Sequence, residues 1–306
     1  MEFSFKSIAL TGATGTLGIA LINECIKNNI KVLALVNPGS SHISRIPEND
    51  NITVVECSLS QMETFDASNY EAEVFIHLAW GSTNRAVRGN MKPQIDNIKY
   101  SIDSVELAER LRCHTYIGAG SQAEYGRKNC AISEDMFPLP ENAYGMAKLC
   151  SGQMTRSLCK EKGIRHIWPR IFSTYGPYTQ ETTIISTVIA KLLNSEKPSL
   201  TGCEQVWDFI YVEDAVRALL LLAEKGRDGE IYNISSGKTK TLREYIEIVR
   251  AIISPEGEIG FGDIPYGDGT VMHLEGDIEK ITNEVGFIPE TSFEEGIRKT
   301  VLMYKI

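Results

Sequence analysis

No apolar run in the 306 residues approaches the roughly 18 that a membrane-spanning helix needs, so no segment is expected to cross a bilayer. The N-terminal stretch MEFSFKSIAL is too short, and too soon followed by Gly12, to act as a signal peptide. Cysteine gives no framework. The seven (Cys25, Cys57, Cys113, Cys130, Cys150, Cys159, Cys203) are odd in number, scattered and without a C-x-x-C pair. Neither a disulfide scaffold nor a zinc site is indicated, no metal is expected, and a reducing cytoplasm fits. Positive charge is also short: 31 Lys and Arg stand against 40 Asp and Glu, for a net charge of −9 and a pI near 5.2. A nucleic-acid partner therefore has little electrostatic support. Eleven of the acids lie between Ser254 and Gly296, with Lys280 the one lysine among them. That pattern is expected to be a solvated acidic face. There is no internal repeat and no low-complexity tract.

What is present is a large apolar fraction, 42% of the residues, enough for a substantial core and about two domains. β-rich apolar runs alternate with helical patterns. Strands are expected at 8–10, 31–36, 52–57, 74–79, 115–119 and 164–168, and helices at 17–28, 97–111 and 144–162. This alternation predicts an α/β fold, a doubly wound parallel sheet with helices on both faces. After Gly176 the pattern loosens. Residues 1–172 are assigned to a dinucleotide-binding domain, with 206–235 returning to it and strands at 208–212 and 231–234 rejoining the sheet. Residues 173–205 and 236–306 are assigned to a smaller mixed substrate lobe, in which the Gly/Pro-rich stretch 254–269 is not expected to form strand.

Residues 11–18 read TGATGTLG. A strand leads into Gly12, Gly15 and Gly18, and a helix starts near Thr16. Glycines there permit a tight turn and let a pyrophosphate approach the backbone, while the helix N-terminus offers unpaired N–H groups and the positive end of its dipole. The second strand ends in Asn37, where a carboxylate would bind the ribose 2′-OH of NAD and repel a 2′-phosphate. Ser40, Ser41 and the turn amides could hydrogen-bond such a phosphate, although no Arg or Lys lies nearer than Arg45. NADP is preferred to NAD on this ground.

Tyr144 and Lys148, in AYGMAK, are four apart and share a helical face. An ammonium beside a phenol lowers its pKa and makes it a usable acid or base. Ser121, at the end of the preceding strand in GSQAEYG, could hold the same substrate oxygen that Tyr144 protonates.

TGATGTLG, HLAW (77–80), GSQAEYG (120–126), AYGMAK (143–148), PRIFSTYGP (169–177) and WDFIYVEDAV (207–216) together resemble an extended short-chain dehydrogenase/reductase, of the branch that modifies nucleotide-activated sugars. The resemblance covers nearly the whole chain. It implies a Ser121–Tyr144–Lys148 triad, a nicotinamide near Tyr144, a sugar nucleotide between the lobes and a homodimer through the helices near 97–111 and 144–162. It also implies a cofactor site of Gly12, Thr14, Gly15, Thr16, Leu17, Asn37, Ser40, Ser58, Leu59, Leu78, Ala79, Trp80, Tyr144, Lys148, Ile171 and Phe172.

Several departures from that family narrow the chemistry. Members that eliminate water carry Asp-Glu directly after the catalytic hydroxyl residue, where this chain has Gln122 and Ala123. Neither side chain can be a general acid or base, so hydride transfer is allowed and dehydration is not. The family's R-D-F becomes Trp207-Asp208-Phe209, and Met272-His273 replace another arginine, so both usual diphosphate grips are missing. Ser173 replaces an Asn, and Ser58 an acidic residue near the adenine. Substrate contacts are therefore expected from Arg85, Arg88, Ser121, Gln122, Ser173, Thr201, Gln205 and Trp207. The leading expectation is reduction of a nucleotide-linked 4-keto-sugar by NAD(P)H. The runner-up is an NAD-retaining 4-epimerase, and the third is a dinucleotide-sensing protein without catalysis.

Overall fold

The computed structural model describes residues 3–83, 87–179, 182–267 and 269–304. Five apolar runs form successive strands: β1 (Ser7–Thr11), β2 (Lys31–Val36), β3 (Ile52–Glu56), β4 (Val74–His77) and β5 (Thr115–Gly118). They pair in parallel in the order β3-β2-β1-β4-β5, and Arg165–Ile171 and Glu230–Ile234 extend the sheet beyond β5. β4 is buried at all four residues, as a parallel strand covered by helices on both faces should be.

Helix α1 (Thr16–Lys27) and the helix Val212–Lys225 cover one face. There Ile19, Leu21 and Ile22 meet Ala215, Leu219 and Leu222 in one apolar cluster with Ile8, Leu10 and Val32. Helices α2 (Met91–Arg110) and α3 (Ala143–Lys162) cover the other, burying Val105, Leu107 and Cys159 against Ala9, Leu33 and Phe75. The strand order reverses between β1 and β4, which opens a crevice beyond their C-terminal ends. A second cluster joins the helices Ile184–Leu193, Leu242–Ile253 and Phe293–Tyr304 through Val188, Ile246 and Ile297, and forms the smaller lobe.

Three expectations are corrected. The strand expected at 208–212 spans Val206–Tyr211 and does not rejoin the main sheet. It pairs instead with Ser173–Tyr175, Thr239–Thr241 and His273–Leu274, because the place beside Arg165–Ile171 is taken by Glu230–Ile234. Within 254–269, Gly260–Phe261 does form a two-residue strand, paired with Ser199–Leu200. Helix α2 begins at Met91 rather than near Asn97, with Pro93 in its first turn, where a missing N–H costs nothing. No helix among the described residues is long and apolar enough to cross a membrane.

Candidate active site

The glycine turn is built by close contact. Gly12 sits at φ 75°, and a Cβ there would lie 2.8 Å from the Ala79 nitrogen; a Cβ on Gly18 would lie 2.1 Å from the Gly12 carbonyl oxygen. β1, the turn and α1 are therefore locked together only if both are glycine. Gly15 differs. Its φ is −82°, open to any residue, and a Cβ there would touch only the Gly12 carbonyl, at an ordinary 3.4 Å. The protein itself does not require Gly15; what a side chain would fill is the space above the turn. α1 has no side-chain cap and no acidic residue in its first turn, so its leading N–H groups face that space uncapped. This open, donor-rich cradle fits the pyrophosphate of a dinucleotide.

A cleft of about 630 Å³ runs from this turn along the crevice. Of the expected cofactor residues, Gly12, Thr14, Gly15, Thr16, Leu17, Asn37, Ser58, Leu59, Leu78, Ala79 and Trp80 line it. Ser40, Tyr144, Lys148, Ile171 and Phe172 are not in its wall. The Phe172 side chain is core, packed with Tyr125, Ile132 and Leu274. At the Asn37 end stands a residue that sequence reasoning passed over. The Glu56 carboxylate, at the end of β3, accepts from the Gly39 N–H at 3.5 Å. It thus occupies one of the turn amides expected to serve a 2′-phosphate.

Ser121, Tyr144 and Lys148 meet where α3 crosses the end of β5. Asn142 caps α3 by accepting from the Gly145 N–H at 2.9 Å. A Cβ on Gly145 would lie 2.4 Å from the Ala123 carbonyl oxygen, so only glycine lets the helix come this close to the Ser121–Glu124 turn. Ser121 caps that turn, its hydroxyl accepting from the Ala123 N–H at 3.2 Å. Burial raises the Tyr144 pKa above the usual phenol value, against which the Ser121 hydroxyl and the Arg88 guanidinium pull it down. The expected lowering by Lys148 is corrected. The Lys148 ammonium donates to the Ala119 carbonyl at 2.6 Å and lies 3.6 Å from the centre of the Trp80 ring and 5.9 Å from that of Tyr144. Burial pushes its own pKa down to about 7.

On the expected substrate side, Trp207 donates to the Ser173 hydroxyl at 2.9 Å, which brings those two together. Gln205 is buried and accepts from the Tyr266 hydroxyl at 3.4 Å, while the Thr201 hydroxyl accepts from the Cys203 N–H. Gln122 is half-buried on its turn, Arg88 is exposed, and Arg85 lies outside the described residues. Asp208 serves structure: its carboxylate accepts from the Ser236, Gly237 and Gly276 N–H groups.

The most consequential residue missed is Glu124. Fully buried, it accepts from the Ser121 N–H at 2.8 Å, from Trp168 Nε1 at 3.0 Å and from Arg170 Nε at 2.7 Å. The only sequence signal was a charged residue inside the otherwise uncharged segment GSQAEYG.

Comparison with known proteins agrees with this fold. The family model described as "NAD dependent epimerase/dehydratase family" matches residues 8–235. The chain is 26% identical to dTDP-4-dehydro-6-deoxyglucose reductase of Escherichia coli over 98% of each protein. It is 31% identical to dTDP-glucose 4,6-dehydratase of Shigella flexneri, over 97% of this chain and 92% of that one. Its fold matches, with a TM-score of 0.89 and 24% identity over 100% and 99% of the two chains, the UDP-N-acetylglucosamine 4-epimerase from Methanobrevibacter ruminantium M1 in complex with UDP-N-acetylmuramic acid. With the match running from β1 through the last strand of the sheet, the chain belongs to the NAD dependent epimerase/dehydratase family.

Proposed function

We propose that this protein reduces a nucleotide-linked 4-keto-sugar, with a nicotinamide dinucleotide as hydride source and Tyr144 as the acid. The observation that carries the reading is the state of the segment after Ser121. Gln122 and Ala123 offer no proton chemistry, and the segment's one carboxylate, Glu124, is turned inward onto Arg170, Trp168 and the Ser121 amide. Elimination of water needs an acid and a base beside the sugar, and this turn presents neither. The dehydratase relative is the more identical of the two named, so the distinction rests on these positions and not on overall likeness.

The dinucleotide, when bound, supplies the hydride. It would be held by the 12–17 turn and the amide donors of α1, with Leu78, Ala79 and Trp80 lining the same cleft. Ser121 would orient the carbonyl oxygen of the substrate. Tyr144, kept protonated at neutral pH by its raised pKa, would deliver a proton to that oxygen as negative charge develops. Trp207 and Ser173 would take the nucleotide end. All seven cysteines are free thiols. Met91 and Ile95 of α2 and Met146 and Met154 of α3 are exposed, which fits a second copy of the chain covering those helices.

Given a nucleotide-linked 4-keto-6-deoxy-sugar in D₂O, the protein should oxidise one NADPH per product and leave the C5 hydrogen in place. Mass spectrometry and proton NMR of the product read both. Deuterium at C5, or product without net cofactor oxidation, would sink the simple reductase reading.

One observation favours the second reading, an NAD-retaining 4-epimerase. Asn37 does not repel a 2′-phosphate, yet Glu56 stands on the neighbouring turn amide and does. We propose a modest preference for NADPH that Glu56 holds down. Glu56→Gln should then tighten NADPH by about five-fold, on the order of 1 kcal/mol, with NADH unchanged. Asn37→Asp should reverse the preference. Fluorescence titration of both cofactors decides, and tighter NADH than NADPH in the wild type would move the assignment to the epimerase.

A further inference from the structure

We infer that Trp80 is a positioning residue for Lys148: its indole, fixed by Gln94, holds the ammonium against the Ala119 carbonyl at the edge of Tyr144. The inference deepens the reduction reading and rests on its dinucleotide occupying the cleft that Trp80 lines, next to Lys148. An ammonium has three donors. Lys148 is 4% exposed and donates to the Ala119 carbonyl at 2.6 Å. Among the described residues it forms no ion pair. The negative face presented to it is the Trp80 ring, 3.6 Å from Nζ to centroid, well inside cation–π range. The same indole meets the Tyr144 ring edge-on, at 6.0 Å and 83°. Trp80 therefore touches both members of the Y-x-x-x-K pair and lines the dinucleotide cleft as well.

The indole is not free to leave. Its Nε1 donates to Gln94 Oε1 at 2.8 Å, and Gln94, 2% exposed, donates in turn to the Ser82 carbonyl at 3.2 Å. Asn97, one turn further along α2, donates to the Gly81 carbonyl at 2.9 Å and accepts from the Gly81 N–H at 2.8 Å. Two buried amides thus clamp the 80–82 loop and fix the plane of the ring. A swinging side chain would need none of this.

Among the described residues, the charged and titratable groups around the ammonium are Glu124 on the turn after Ser121, His77 at the end of β4 and Tyr144 one turn earlier on α3, with the always-charged Arg88 acting on Tyr144. Glu124 favours the charged form but is committed to Arg170; His77 is held neutral by burial at a pKa of about 3; Tyr144 titrates above the usual phenol value. Between pH 5.5 and 9, about the span of an ordinary binding titration, Lys148 is the member of this group that changes charge. Losing the indole face disfavours the charged form. The proton then leaves at lower pH, by about one unit or more for a desolvated cation–π contact.

The test is NADPH affinity measured by calorimetry against pH, which needs no sugar substrate. The wild type should show an inflection near pH 7 that Lys148→Met removes. Trp80→Leu should move that midpoint down by about one unit or more, whereas Trp80→Phe, which keeps an aromatic face, should move it by less than half as much. Gln94→Met, which releases the indole but keeps it, should move it in the same direction and remains informative if Trp80→Leu does not fold. A merely structural role would weaken binding at every pH without moving the midpoint. An unmoved midpoint in Trp80→Leu and Gln94→Met, equal shifts in the Leu and Phe variants, or no inflection in the wild type overturns the inference. Failure to turn over any nucleotide-linked keto-sugar would remove the reduction reading and leave this titration standing.

Discussion

Tyr144→Phe is expected to lower kcat by roughly 10²–10⁴-fold, the loss of one general acid, with fold and dinucleotide affinity nearly intact. The ring stays, so its edge contact with Trp80 at 6.0 Å is kept and only the hydroxyl goes. The direction of the Tyr144 pKa matters here. Burial holds the phenol above its ordinary value, so at neutral pH it carries its proton, the form needed when a carbonyl oxygen gains negative charge. Activity limited by this acid should not decline between pH 6 and 8 through ionisation of Tyr144, whereas Lys148, pushed down to about 7 by burial, does change charge in that range. Single-turnover rates at saturating keto-sugar and NADPH measure the effect directly. More than a tenth of the wild-type rate in Tyr144→Phe would remove Tyr144 from the acid's role.

Much of this site was legible in sequence because its parts are local. The glycine turn, α1 and β2 lie within 30 residues of one another, and their spacing alone carries the cradle. The Tyr144 to Lys162 pattern matched α3 to within one residue, since a single helix fixes which side chains share its face. What stayed hidden depends on contacts across the sheet. Glu124 and Arg170 are brought together by the parallel register of Ser121 with Ile171, which no local pattern encodes. α2 was read as starting late because the side its first turns bury is polar: Gln94 and Asn97 face inward to hold the Trp80 loop, which breaks the apolar periodicity that marks a helix. The strand at 206–211 was placed in the wrong sheet for a similar reason. Its apolar run suits either sheet, and the outcome turned on which neighbour already occupied the edge.

Glu124→Leu should cost about 3–5 kcal/mol of stability, because it strips the partner from an arginine that cannot lose its charge and cannot reach water. The pair is 2.7 Å apart, with Glu124 wholly buried and Arg170 2% exposed. The loss would not stop at one ion pair. Glu124 also accepts from Trp168 Nε1 and from the Ser121 N–H, so three donors from two strand ends would be left unsatisfied together. Arg170 lies 4.2 Å over the Tyr125 ring, and Tyr125 in turn donates to Asn233, which ties the cluster to the last strand of the sheet. The double variant Glu124→Leu/Arg170→Met removes charge from both sides and fills the space with apolar atoms, and buried pairs replaced in that way commonly lose little. It should therefore be more stable than Glu124→Leu alone, as read by urea denaturation of the purified proteins. The same double variant should still turn over poorly, because the Ser121 amide has lost the acceptor that fixes the turn carrying the Ser121 hydroxyl. If the double variant proves at least as unstable as the sum of the two single ones, the carboxylate's main work lies in its bonds to Trp168 and Ser121, not in neutralising Arg170.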